Sequence, residues 1–592
     1  MRTSHRLLAA AAVAALALPA LAQDVVPQAN IAASAPAPAP TPAPSPTTST
    51  TATAPDSVGE SDTGVVEVSS QQAAAQTSAA APAVEYPNYA RRDPRLVGRL
   101  DPVDLGLGAS PFKGASGAFA ATLMRRMQTP LASRWAHIAL RNLLLARVPA
   151  PRNVNPVNWA AERSWLLLRM GEADAARMVV SGVDVDRFTP RMYQVGVQSA
   201  LANADPAGLC PLLDGIEKVE PNIYQLTDAM CAALAGEPEA AAAQLDTARR
   251  RGRVSGIDLE LAQKVVGAGG NTRRAATIEW DPVDRLDTWR FGLATATGMT
   301  FPDRLIKEAP SQLRAWQAAA PMIAPQDRLA SAQIATGLGV FSSQSLADLY
   351  GLIYDATDPD DLPSTPAWQL RIAFAGKDLD TRLSAMRKLW DASKDPLVSE
   401  GAWALLGRAA TFVQPSKDVQ SDAPNLIASM LAAGFDQEAA RWANVVGQMD
   451  DQYADQAWAM LALGAPDGAK VDVSASRVTD FIGRDKSENH KRSALLVAGL
   501  VGLGRLDTAT AGRLSNRYGL RIGHRTVWTK MIDRAASYGQ SGTVLVLTGT
   551  GLQAPSFDAI PPAHLYHAVA ALKTTGQDFT ARMIAAEALA RT

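Results

Sequence analysis

The sequence predicts an all-α protein, an α-solenoid of stacked antiparallel helical hairpins preceded by a disordered Pro/Ala/Thr-rich segment. Three observations predict it. Glycines recur after apolar helical runs, apolar residues flank them at helical spacing, and a long stretch near the start has almost nothing to bury. The chain divides into three parts: a leader at residues 1–22, a spacer at 23–90 and a helical-repeat region at 91–592 with a candidate division near 270–285.

The leader has the composition of a secretory signal. Arg2 and Arg6 supply the positive start, "LLAAAAVAALALPALA" the apolar stretch, and Ala20-Leu21-Ala22 the small-x-small pattern of a cleavage site, so the mature chain is expected to begin at Gln23 after Ala22. Leu7 to Leu18 is about a dozen residues, short of the roughly 20 needed to span a bilayer. No cysteine adjoins the cleavage site, and no later run holds 18 uninterrupted apolar residues. The expectation is a periplasmic protein with no integral membrane segment after cleavage.

The spacer "APAPAPTPAPSPTTSTTATAP" offers too little apolar surface to offset the entropy of ordering and reads as an extended, partly polyproline-like linker. Its six acidic residues (Asp24, Asp56, Glu60, Asp62, Glu67, Glu85) meet no Lys or Arg between 23 and 90. Setting aside those acids and the two leader arginines leaves 55 basic and 52 acidic residues downstream, a net of +3. A nucleic-acid partner is not expected at such balance. The one basic concentration is "ARRRGR", with Arg249, Arg250, Arg251 and Arg253, and with Arg273 and Arg274 beyond it. It falls where a helix ends, so it suits the helix dipole, and it is also the candidate patch for an anionic partner.

The repeat is visible at Gly171 ("GEADA"), Gly236 ("GEPEA"), Gly376 ("GKDLDT"), Gly434 ("GFDQEA"), Gly504 ("GRLDT") and Gly576 ("GQDFTA"). The intervals are 65, 140, 58, 70 and 72, with one gap near residue 305. A spacing near 70 is about twice a 34-residue helical hairpin, so the visible unit reads as two hairpins. Each glycine can close a helix in the left-handed conformation, and the acidic residue after it suits the next helix start. Around Gly434 the stripes are clear: Ile427, Met430 and Leu431 come before it, and Ala439, Trp442, Ala443 and Val446 come after. Around Gly171 they are Trp165 and Leu168, then Ala175, Met178 and Val179. The twelve tryptophans fall mostly in such stripes and read as core.

Through this Leu-x-x-Gly-x-x-x-x-Ala pattern the chain resembles the tetratricopeptide-like helical-repeat proteins of the bacterial envelope, and more loosely the superhelical region of soluble lytic transglycosylases. The resemblance spans most of residues 118–592. It implies scaffold or partner binding on a helical-repeat surface. The transglycosylase catalytic stretch, a Glu-Ser pair ahead of a Gly-Leu-Met-Gln run, has no counterpart here, so no catalytic residue carries over.

Other candidates for chemistry are weak. His564 and His567 are three apart with no third ligand nearby in sequence, and "DATDPDD" lacks the Gly and Glu of a calcium loop. "SPFK" at Ser110 has as its nearest companion "KTTG" at Lys573, which carries an extra residue. "VVGAGGNTRRAA" has no GxGxxG or GK[ST], and "VLVLTGTGL" reads as a buried helix ending at Gly549 or Gly551. No cofactor is expected.

Cys210 and Cys231 are expected to form a disulfide. They lie about ten residues before and eleven after a turn near Val219 and Glu220, so equal arms of a hairpin bring them side by side, and an exported chain meets an oxidising environment. The functional expectation is an exported, non-catalytic scaffold binding a protein or polysaccharide partner of the bacterial envelope. The alternatives are a peptidoglycan-associated accessory, or catalytically silent relative of wall-processing enzymes, and a hydrolase whose site carries no recognisable motif.

Overall fold

The computed structural model describes residues 87–252, 254–270 and 278–592. Asn88–Ala90 form a short 3-10 turn, and Arg92–Thr592 form one compact unit. The leader with its Ala22–Gln23 junction, most of the spacer, and Arg253 lie outside the described residues.

Among the described residues the chain is all-α apart from one pair of two-residue strands, β1 (Leu96–Val97) and β2 (Val148–Pro149), which run antiparallel. Helices α1 (Gly117–Arg126), α2 (Arg134–Leu145), α3 (Pro156–Met170), α4 (Ala173–Val180) and α5 (Pro190–Ala202) open the array. Next come α6 (Leu213–Val219), α7 (Tyr224–Leu234), α8 (Pro238–Arg251), α9 (Ile257–Gly269), α10 (Thr288–Ala296), α11 (Asp303–Lys307), α12 (Ser311–Ala319), α13 (Pro325–Leu338) and α14 (Ser343–Ala356). The middle holds α15 (Pro366–Ala375), α16 (Leu379–Trp390), α17 (Pro396–Ala410), α18 (Ala423–Ala432), α19 (Asp436–Ala440), α20 (Ala443–Val446) and α21 (Asp451–Gly464). The last are α22 (Ala475–Arg484), α23 (Lys491–Gly502), α24 (Thr508–Tyr518), α25 (Val527–Ser537), α26 (Ser541–Gly551), α27 (Pro562–Thr574) and α28 (Asp578–Ala590). Neighbours pair as hairpins, among them α3 with α4, α7 with α8, α12 with α13, α15 with α16, α17 with α18 and α27 with α28.

The turn that joins α3 to α4 shows how the sequence makes a hairpin. Gly171 takes φ +91°, its N–H bonds Leu168 O (3.0 Å) and the next N–H, of Glu172, reaches back to Leu167 O (2.9 Å). Those two bonds satisfy carbonyls that the helix end would leave bare, and α4 starts two residues later. The same pair of bonds closes the preceding helix at Ala204, Gly236, Gly298, Gly339, Gly434, Gly504, Gly539 and Gly576. Ala204 lies 33 residues after Gly171 and 32 before Gly236, while Gly539 lies 35 after Gly504 and 37 before Gly576. The visible interval near 70 therefore holds two hairpins, and Gly298 fills the gap near 305. Gly376 departs from the expected conformation. Its φ is −57°, α15 ends in extended backbone, and Asp378 caps α16 through Thr381 N (2.7 Å). Glycine is needed there for space, since an added Cβ would meet Ile372 O at 2.8 Å.

Two cores result. The larger runs from Val97 to Leu589, with Trp159 and Trp442 among its largest buried side chains. The smaller is built by residues between Val197 and Ala294, on both sides of the expected division near 270–285. Arg290 on α10 holds Asp258 on α9 across that boundary with two bonds, of 2.8 and 3.0 Å. Six tryptophans are buried (159, 289, 316, 390, 442, 458) and the other six are half-buried. Among the described residues no helix is long and apolar enough to cross a membrane.

The array also returns on itself. The last helix, α28, packs against α2 as well as α18, α21 and α23, and α26 packs on α1 and α2. An open stack would leave the first and last faces bare. Here each covers the other.

Candidate functional site

The closure is made by charged residues. Glu587 on α28 accepts from Ser133 Oγ (2.5 Å), Arg134 N (2.7 Å), Trp135 N (3.3 Å) and Arg591 Nη1 (2.7 Å). Its carboxylate thus sits on the bare amides at the start of α2, where the helix dipole favours an anion. Arg134 in turn donates Nε to Thr336 O (2.9 Å) at the end of α13 and Nη1 to Ala432 O (2.7 Å) at the end of α18. A cation is favoured at both ends. One side chain of the second helix therefore fixes two hairpins some 200 and 300 residues onward.

Glu400 on α17 completes the cluster. It is 1% exposed, its nearest cation is Arg591 Nε at 3.9 Å, and its Oε2 has no hydrogen-bond partner among the described residues. Burial, and then the charge of Glu587, push its carboxyl up to about 7, with Arg591 and Arg134 only partly opposing. Beside it Trp135, Trp403, Leu431, Met460 and Met583 enclose a space of about 10 Å³. That is room for one water, not for a substrate. The arrangement is suited to holding helices together.

A larger cavity, of about 330 Å³, opens where several helix-connecting turns gather. Its wall takes Gly171–Asp174 from the α3–α4 turn, Ala202–Ala204 from the end of α5, Trp316–Pro321 in part from α12 and its exit, and Val340–Ser345 in part from the α13–α14 turn. These are backbone-rich positions presented by the repeat itself. Trp316, Val340 and Phe341 give it apolar walls, Asn203, Ser342 and Ser345 give it amide and hydroxyl groups, and among the described residues Glu172 and Asp174 are its only charged ones. Glu172 Oε1 is met from behind by His137 Nε2 (3.0 Å) and Arg141 Nη1 (3.5 Å). Asp174, a surface residue whose inner side faces the cavity wall, makes no ion pair among the described residues; partial desolvation, and then Glu172, raise its carboxyl above the usual range, against a smaller pull from Arg177. Arg177 itself is engaged by Asp205.

The residues singled out from sequence fall in several places. Cys210 and Cys231 are joined, with Cα atoms 5.5 Å apart, and the bridge links Pro206–Leu212, a 3-10 segment, to α7 on the smaller core. Arg249, Arg250 and Arg251 occupy the exposed last turn of α8 before Gly252, with Arg249 near Asp246 (3.4 Å) and Arg250 bonded to Thr247 (3.1 Å). They are remote in sequence from both cavities and line neither. His564 and His567 diverge: His564 Nδ1 faces Gly551 O (3.1 Å) and His567 Nδ1 faces Asp533 Oδ1 (2.6 Å). Lys573 donates to Leu503 O (2.9 Å), "VLVLTGTG" lies in α26, and "DATDPDD" takes in the last two residues of α14 and the loop that follows. Among the described residues no three His, Cys, Asp or Glu group as metal ligands.

Sequence reasoning missed the closing cluster altogether. A faint signal exists, since Glu587 in "IAAEALA" and Glu400 in "VSEGAWALL" are lone acids within apolar runs. A lone charge on an apolar stripe needs a buried partner, but the stripe does not say which.

No family model matches the chain, and no curated protein or solved structure matches it.

Proposed function

We propose that this chain is an exported, non-catalytic scaffold of the bacterial envelope that binds a protein or polysaccharide partner on its helical-repeat surface. The observation that carries the reading is the 330 Å³ cavity lined by helix-connecting turns, those after α3, α5, α12 and α13. It is within the range of small-ligand pockets and is lined by groups able to hold a ligand, with no nucleophile–base pair among the residues that line it. The Ala-x-Ala junction at Ala22 and Gln23 supports export, and the closed array supports a rigid platform rather than a hinge.

The test compares the chain beginning at Gln23 with its Ala319→Trp variant, Ala319 being an exposed residue of the cavity wall. Both are incubated with detergent-solubilised envelope proteins and, separately, with insoluble peptidoglycan. A partner held by the parent chain and lost by the variant supports the reading. Retention in sedimented peptidoglycan would favour the wall-associated accessory. Equal retention by both chains removes the cavity from the proposal, and turnover of either fraction replaces the scaffold with a hydrolase.

A further inference from the structure

The turn-lined cavity has a charge pattern that narrows its occupant. We propose that it takes one cationic side chain, a lysine or arginine carried on an extended segment of a protein partner. This rests on the reading that the cavity is where the partner binds.

Four features point the same way. Glu172 and Asp174 line the cavity and no Lys, Arg or His does, so its formal charge is −2. His137 and Arg141 offset Glu172 from the side of α2, whereas Asp174 has no ion-pair partner among the described residues and the cation that acts on it, Arg177, is held by Asp205. A cation entering from the open side therefore meets a carboxylate that only the start of α4 and Arg177, itself shared with Asp205, offset. The walls suit the rest of such a side chain: Trp316, Ala319, Ala320, Pro321, Val340 and Phe341 present apolar surface to its aliphatic stem. The volume is about that of one long side chain with its adjoining backbone, which excludes a folded surface and selects a protruding residue.

The opposing consideration is the start of α14, whose dipole favours an anion. There the N–H of Ser345 is already bonded to Ser342 Oγ (2.9 Å), and the two carboxylates outweigh the remaining half-charge. An acidic peptide or a carboxylate-bearing glycan would bring like charge to Glu172 and Asp174.

The experiment uses the chain from Gln23 and three fluorescein-labelled nonapeptides of alanine and serine, identical except for lysine, norleucine or glutamate at the centre. The lysine peptide is expected to bind about tenfold more tightly than the norleucine peptide, to weaken as salt rises, and to lose that advantage in Asp174→Asn. Asp174 is a surface residue in the first turn of α4, so the variant is expected to fold, and an unchanged circular-dichroism melt verifies it. Equal binding of lysine and norleucine peptides, or a lysine advantage that survives Asp174→Asn, overturns the cationic occupant. If Ala319→Trp still abolishes binding in those cases, the cavity reading stands without it. If no peptide binds while Ala319→Trp releases the chain from peptidoglycan, the occupant is a glycan and the cationic proposal fails alone. If Ala319→Trp changes neither, both fail.

Discussion

Replacing Glu400 by glutamine removes an ionisable group from the closing cluster and leaves its shape nearly unchanged. The carboxyl is fully buried and its ionisation moves from the ordinary 4.5 to about 7, through burial first and Glu587 second. Below pH 4.5 the group is protonated in the folded and the unfolded chain alike and has no effect on stability. Between 4.5 and 7 the unfolded chain has released the proton while the folded chain keeps it, so stability falls as pH rises, and above 7 the loss is complete. The shift corresponds to roughly 3 kcal/mol at 25 °C. Over the roughly 500 residues of the Arg92–Thr592 unit, the entropy of unfolding is about 1 kcal/mol/K, so the effect is about 3 °C in Tm. Melting of both chains by circular dichroism at half-unit steps from pH 4.5 to 8.5 is the assay. The variant should match the parent near pH 4.5 and melt about 3 °C higher by pH 8. A difference between the chains that stays constant across the range would refute the reasoning, because it would mean that Glu400 does not change its charge there.

Glu587→Ala leaves the Ser133, Arg134 and Trp135 donors and the Arg591 guanidinium without their acceptor, and should cost about 3–5 kcal/mol, read as a fall in the urea midpoint. Ala204→Gly relieves a left-handed alanine and should stabilise the chain by about 1 kcal/mol, a small rise in Tm on repeated scans. Reducing the Cys210–Cys231 bridge, whose partners are 21 residues apart, should cost about 3 kcal/mol in the chain-entropy model. Hydrogen exchange should then quicken in α6 and α7 while α2 keeps its protection.

The hairpins are legible because a helix stripe and the glycine that ends it are both local. Gly171, Gly434 and Gly576 announce themselves by their neighbours within ten residues on either side. Half of the period is hidden for equally local reasons. Ala204 adopts φ +51° without being glycine, and Gly539 closes α25 but has Gln540 and Ser541 after it in place of an acidic residue. The bridge is legible because both cysteines lie on one hairpin. The closing cluster is not, since Ser133 and Glu587 are 454 residues apart and Arg134 is recognised by main-chain carbonyls, which carry no sequence. The cavity is hidden in the same way. Gly171–Asp174 read as a turn, and only packing brings them beside Trp316 and Phe341.

Because a carboxylate in the fifteen-residue stretch from Asp578 to Thr592 caps a helix that begins at Arg134, the order of synthesis bears on when the protein can become itself. A chain still emerging from the ribosome can form its hairpins one after another, since each is made of neighbours, but it has nothing to place on the α2 amides until α28 is free. The loop that must then close is nearly the whole molecule, and its entropy is recovered only when Glu587, Arg591 and the α28 apolar face arrive together. A chain cut before Asp578 is therefore expected to keep its hairpins yet leave open the face of α2 that α28 covers, accessible to a binder of unfolded polypeptide.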